Sequence, residues 1–197
     1  MSNLLVLLVA GGLTAQAAEM PVPTTIEVAV RLCVPSASET LYVAKAQAAR
    51  MFAAAGVEIQ WISSSKAPST SGAWRIAVDL LPQSPKDLQF AGPLAVAYPF
   101  QGQSIKIFYD RLQRVDQHPS AALLAHVLVH EITHILQGFD RHSETGIMKG
   151  MWTTADYYAM RWRPLLFTSN DVEFIRAGMA RHAQSSGVLS SNVAGKP

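Results

Sequence analysis

Apolar and polar positions alternate through TIEVAVRLCV, and this period of two, rich in β-branched residues, predicts a strand from Ile26 to Val34. The period then lengthens. Ser36 followed three residues later by Glu39 forms a helix-start capping box, and ETLYVAKAQAARMFAAAG predicts a helix that stops at Gly56. VEIQWI (Val57 to Ile62) predicts a second strand, and the polar SSSKAPSTSG that follows predicts a loop. WRIAVDLL, PLAVAYPF and SIKIFYDRL predict three further strands; Gly92, Pro93, Pro99 and Gly102 bracket the middle one and mark it as an edge strand. From Pro119 a long helix runs to Gly138, and two more capping boxes, Thr153 with Asp156 and Thr168 with Asp171, start the last two helices. The tail from residue 186 to 197 reads as disordered, and there is no internal repeat.

With 197 residues, 49% hydrophobic and 15% charged, the chain can build one domain with a sizeable core and has no room for a second. Its net charge is +2, and the sixteen Lys and Arg are scattered singly, so nothing forms the basic stripe that would hold nucleic acid. The single cysteine, Cys33, falls in the first strand pattern and reads as a buried thiol; neither a disulfide nor a thiolate metal site can be built from it. Any metal must therefore be held by His, Asp or Glu. Residues 1–17 read as an export signal: an apolar run from Leu4 to Ala10, then small residues with Ala15 and Ala17 in an A-x-A pattern, although the start lacks Lys or Arg. The run is too short for a membrane span, so the chain left after cleavage, residues 18–185 with the tail, is expected to be secreted or periplasmic and to have no stable membrane span.

The chemistry is concentrated in HVLVHEITHILQGFDRHSETGIM, His126 to Met148. A step of four residues on a helix returns to nearly the same face, about 40° round and ~6 Å further on, so His130 and His134 can aim their imidazoles at one point. That point suits a metal ion. Glu131, about 100° round, reaches a metal-bound water instead of the metal. A catalytic zinc site takes three protein ligands and leaves one position to water. Gly138 can end the helix in the left-handed conformation and let the chain return, and then both Asp140 and His142 are within reach. Three neutral imidazoles leave the ion its full charge and make its water more acidic than an aspartate would, which favours His142. Glu131 could then take a proton from the attacking water and deliver it to a leaving amine, the chemistry of peptide-bond hydrolysis.

These residues resemble the metzincin clan of zinc endopeptidases, in which HExxHxxGxxH is followed by a methionine turn. In that pattern the glycine would stand at position 137 and the third ligand at 140; here those positions hold Gln137 and Asp140, and glycine and histidine come at 138 and 142. Asp140 thus keeps the clan's third-ligand spacing, and some members use aspartate there. The HSETGIM that follows resembles the clan's return to the methionine turn, with Met148 as its methionine. A closer likeness is to exported bacterial proteins of undetermined role that carry HExxH, a glycine four residues on and HSxxGIM. The resemblance implies an α+β, metzincin-like zincin fold: a mixed twisted sheet of four to five strands with an antiparallel edge strand, packed on the zinc-binding helix and a C-terminal helix. It also implies a peptide or protein substrate lying along the edge strand, for which PLAVAYPF is the candidate.

The expectation is a zinc-dependent endopeptidase with His130, His134 and His142 on Zn²⁺ and Glu131 as general base. The alternative is a catalytically inactive module of the cell envelope that keeps the fold to hold metal or peptide, motivated by the shifted spacing. A closed structural zinc site is a third reading, and would need His126 or Asp140 as a fourth ligand. Otherwise His126 reads as a residue behind the ligands or on the helix surface, and Asp171 as a helix cap. Glu144 and Glu173 are further acids without a better role. Tyr157 and Tyr158 read as packing residues, and Lys149, Arg161 and Arg163 as solvated charges or helix-end partners.

Overall fold

The computed structural model describes residues 25–65, 73–86 and 92–193, with side chains described as far as residue 185. The export-signal segment and most of the polar connector lie outside these residues. Strands β1 (Ile26–Leu32), β2 (Ile59–Ser63), β3 (Trp74–Leu81), β4 (Ala95–Tyr98) and β5 (Ser104–Phe108) form one sheet in the order β2-β1-β3-β5-β4. Four strands run parallel and β4 alone is antiparallel, paired to β5 at one edge. A parallel neighbour requires a crossover, and helix α1 (Ser38–Ala54) supplies the one between β1 and β2.

Alternation along the strands separates two faces. Ile26, Val28 and Val30 of β1, Trp74, Ile76, Val78 and Leu80 of β3, and Ile105 and Ile107 of β5 are buried in one core with α1 and with helix α3 (Ala121–Gln137). On the other face the register sets Arg31 beside Asp79, joined by two bonds of 2.8 and 2.6 Å, with Lys106 next in line. Helix α3 is apolar nearly all round, and every residue from Leu123 to Gln137 is buried. Ser120 caps its start by accepting the Leu123 N–H. Gly138, at φ 75°, ends it in the left-handed conformation, its N–H returning to the His134 carbonyl.

The last helix, α5 (Ser169–Val193), crosses the end of α3. Gly178 permits this approach, because a Cβ there would lie 1.8 Å from the Leu136 carbonyl oxygen. Arg181 donates to the Gln137 carbonyl at 2.7 Å, placing a cation at the negative end of α3. Helix α4 (Thr154–Met160) starts with the expected capping box of Thr153 and Asp156, and Thr168 and Asp171 exchange the same pair of bonds at the start of α5.

Four local expectations differ from the structure. The first helix is entered through a 3₁₀ turn, Pro35–Ala37, with Ala37 at its cap, and Ser36 makes no capping bond. Proline pre-sets the turn and moves the helix cap one residue on, from Ser36 to Ala37. SIKIFYDRL is a strand only to Phe108; Tyr109–Val115 is a helix, α2, with Asp110 in its first turn and Leu112 fully buried. Cys33 falls just beyond β1 and is exposed. Helix α5 continues to Val193, past the boundary expected at Ser185. Among the described residues no helix is long and apolar enough to cross a membrane.

Candidate active site

One turn apart on α3, His130 and His134 face each other through their Nε2 atoms at 3.1 Å. Two nitrogens bound to one tetrahedral zinc at ~2.05 Å would be about 3.3 Å apart, so the pair is spaced for a shared ion. The other ring nitrogen of His130, Nδ1, donates to the Ile147 carbonyl at 2.9 Å. That bond fixes the tautomer and leaves Nε2 with a free lone pair. His142 completes the group: its ring centroid is 5.3 Å from that of His130 and 5.0 Å from that of His134. One nitrogen from each of the three rings falls within 4.8 Å of the others. Asp140 lines the same cleft but lies outside this group. Its carboxylate, 86% exposed, lies 4.0 Å from His134 Nδ1, behind the ring and away from the nitrogen that faces His130. The residue at the clan's third-ligand spacing therefore backs a histidine, while His142 joins the cluster.

What holds His142 there is the wrapping of residues 139–150. Asp171, fully buried, accepts Ser143 Oγ at 2.5 Å and Arg141 Nη1 at 3.1 Å, clamping the residues on either side of His142. Burial alone would raise the Asp171 pKa, but hydrogen bonds from Ser143, Thr168 and Arg141 outweigh it and hold the group below the usual carboxylate value. Ser143 N–H then donates to the Met148 carbonyl at 2.8 Å, closing the HSETGIM loop. Gly146 turns that loop at φ 76°; a Cβ would meet the Leu166 carbonyl oxygen at 2.3 Å, and the same oxygen accepts the Ile147 N–H. Gly150 packs directly on the His142 ring, with 3.0 Å between its missing Cβ and Cγ. Ile147 and Met148 are both fully buried.

Glu131 is 8% exposed beside this cluster. Burial first, and then the Asp140 charge, push its pKa up to about 8, against a hydrogen bond from the Ala97 N–H that favours the charged form. A divalent ion held by the imidazoles would pull it down again. Burial lowers His130 to about 4, helped by its histidine neighbours and opposed by the bond to Ile147; His134 is also lowered, by burial and then by His142. These two rings are therefore neutral at pH 7, the state that binds metal.

A cleft of ≈ 550 Å³ opens over the cluster, between β4 on one side and the Lys149–Tyr157 segment on the other. Phe108 N–H donates to the Leu94 carbonyl, so bonded pairs with β5 fall at Leu94, Val96 and Tyr98, and Ala95 and Ala97 turn their backbone groups outward. The Ala97 N–H that meets Glu131 is one of these.

Other singled-out residues fall in different places. His126 is buried, not on the surface: Nδ1 bonds the Ala122 carbonyl at 2.6 Å and Nε2 accepts the Leu165 N–H at 3.0 Å, which leaves neither nitrogen for a metal. Tyr157 lines the cleft, whereas Tyr158 is 64% exposed. Lys149 pairs with Asp156 at 2.8 Å, and Arg161 reaches Asp116 at 3.9 Å. Trp152 was not singled out from sequence; it lies edge-on to His130 at 5.4 Å and forms part of the cleft wall. Only a tryptophan closely following Met148 marks it in the chain.

The site thus rests on a mostly parallel five-stranded sheet, a buried HExxH helix and a returning loop with a third histidine. One solved structure of similar fold is archaemetzincin from Methanopyrus kandleri, at 13% identity and a TM-score of 0.51, over 80% of this chain and 96% of that one. At that identity the likeness speaks for the fold. No family model matches the sequence, and no curated protein matches it.

Proposed function

We propose that the chain is an exported zinc-dependent endopeptidase, secreted or periplasmic, with His130, His134 and His142 as metal ligands and Glu131 as general base. The observation that carries this reading is the meeting of three imidazoles beside a buried carboxylate at the floor of an open cleft. The donor set fits zinc: nitrogen ligands only, a pair at the right separation, and a tautomer fixed from behind by the Ile147 carbonyl. When bound, zinc supplies Lewis acidity, bringing the pKa of a water to about 7 and stabilising negative charge on a carbonyl oxygen.

The chain's own residues supply the rest. The Ala97 carbonyl on the β4 edge pairs with an extended peptide and brings its carbonyl carbon over the cluster, reading main chain and so tolerating many sequences. Glu131, oriented by the Ala97 N–H, takes a proton from the attacking water and returns it to the leaving amine. Trp152 and the β4 edge exclude bulk water around that transfer.

The test is to purify the mature chain, measure bound zinc and assay a mixed peptide library with and without chelator. Chelator-sensitive cleavage is expected, and Glu131→Gln should keep zinc and lose turnover. A chain that holds no zinc and cleaves nothing would sink the proposal. The shifted spacing after His134 favours one rival, an inactive metal- or peptide-binding module. That rival predicts bound zinc, no cleavage, and no effect of Glu131→Gln on ligand binding.

A further inference from the structure

Helix α3 has a second cavity behind it. His130 faces the cleft, while His126, one turn earlier, lines a separate cavity of ≈ 590 Å³ between α1, the start of α3 and residues 160–167. Its size falls within the range of small-molecule sites. Met51, Met160, Leu165 and Phe167 give it an apolar interior. Two neutral polar side chains, Gln47 and His126, also line it, and both nitrogens of His126 are already bonded to backbone.

Three arginines, Arg50, Arg161 and Arg163, line the same cavity, all of them exposed, and no acidic side chain lines it. Arg161 is partly engaged by Asp116 at 3.9 Å; Arg50 and Arg163 have no ion pair among the described residues. Trp162 and Leu166, 77% and 71% exposed, also belong to the lining, apolar surface left open to solvent beside the guanidinium groups.

We infer that this cavity binds a single-chain amphiphile with a carboxylate head: the hydrocarbon tail lies on Met51, Met160, Leu165 and Phe167, and Arg50 and Arg163 hold the carboxylate. An apolar interior rewards each buried methylene, and the planar guanidinium fork binds a carboxylate through paired charge-assisted bonds, where a hydroxyl gains only a single weaker bond and a cation is repelled. The site is independent of the zinc cluster and of any peptidase activity.

The experiment is calorimetric titration of the full chain with octanoate, decanoate and dodecanoate below their micellar concentrations, with dodecanol and dodecyltrimethylammonium as head-group controls. One-to-one binding is expected, tightening about tenfold for each two methylenes. The double variant Arg50→Gln, Arg163→Gln should weaken dodecanoate at least about tenfold, the loss of a charge-assisted pair. Ala54→Trp, at the cavity wall, should abolish binding, and Ala122→Phe serves if that variant fails to fold. Absence of saturable dodecanoate binding would overturn the inference. So would equal binding of dodecanol or of the ammonium amphiphile, or binding that survives the wall-filling variant. Zinc removal should leave the titration unchanged, so this result and the peptidase assay stand or fall separately.

Discussion

Asp171→Ala removes the anchor of the loop that carries His142. The carboxylate is fully buried and accepts from Ser143 Oγ, Arg141 Nη1 and the Thr168 N–H, the last at 2.8 Å. Hydrogen bonds to a charged group contribute about 1.5–3 kcal/mol each, and loss of a helix cap costs about 1 kcal/mol. Arg141, at 29% exposure, regains water when released, so the three losses do not simply add. A net destabilisation of about 3–4 kcal/mol is expected, in the range for breaking a buried ion pair. Residues behind metal ligands typically change affinity 10–100-fold, and Arg141 and Ser143 flank His142 directly, so zinc affinity should fall by about that factor. Urea unfolding of the zinc-free chain measures the first quantity, and competition with a chromophoric chelator the second. Leu80→Ala is the control: buried in the sheet away from the loop, it should cost about 2–5 kcal/mol and leave zinc affinity alone. If Asp171→Ala loses stability but binds zinc within twofold of the parent, the anchor does not position His142 and the reasoning fails.

Other perturbations separate packing from chemistry. Gly178→Ala puts a methyl into the Leu136 carbonyl and should cost about 3 kcal/mol in urea unfolding; a loss under 0.5 kcal/mol would mean that α5 can shift on α3. Gly150→Ala should push the His142 ring aside and weaken zinc binding about tenfold with little change in stability, read by the same chelator competition. In the zinc-free chain Glu131 holds its proton up to about pH 8, while the unfolded carboxylate loses it near 4.5. The folded state therefore binds more protons between these values, and this contribution to stability, complete below pH 4.5, is lost as pH rises through 8. Zinc-free stability should then fall between pH 6.5 and 8 by up to about 1.4 kcal/mol per unit, and Glu131→Gln should flatten the curve. His130 acts in the opposite sense: its folded pKa of about 4 means that stability is lost as pH falls from 6.5 towards 4, a loss that Glu131 offsets in the parent chain above pH 4.5 and that should emerge in the acid-side unfolding curves of Glu131→Gln.

Local pattern was enough where a residue's neighbours in sequence are also its neighbours in space. WRIAVDLL alternates because alternate residues meet the core, and the two later capping boxes close within four residues. It misled where two local signals overlap: the apolar alternation of SIKIF runs without a break into YDRL, and only Asp110 in the first turn marks the change to helix. Pro35 hid the true start of α1 in the same way. Which of Asp140 and His142 comes beside His130 and His134 is not a local matter. Both lie within reach of the returning chain, and the deciding contact comes from Asp171, whose bonds to Ser143 and Arg141 span 28 and 30 residues. Its short-range bonds to Thr168 made it look like a cap and nothing more.

The edge strand β4 is only four residues long, with Pro93 and Pro99 just outside it. An open edge is also a template on which identical chains can stack without end, as in cross-β fibres. Here the outward rungs fall at Ala95 and Ala97, but Ala95 is buried and one group of Ala97 already meets Glu131. So short a ledge can grip a passing strand for a few residues, yet gives a second copy too little purchase to seed aggregation.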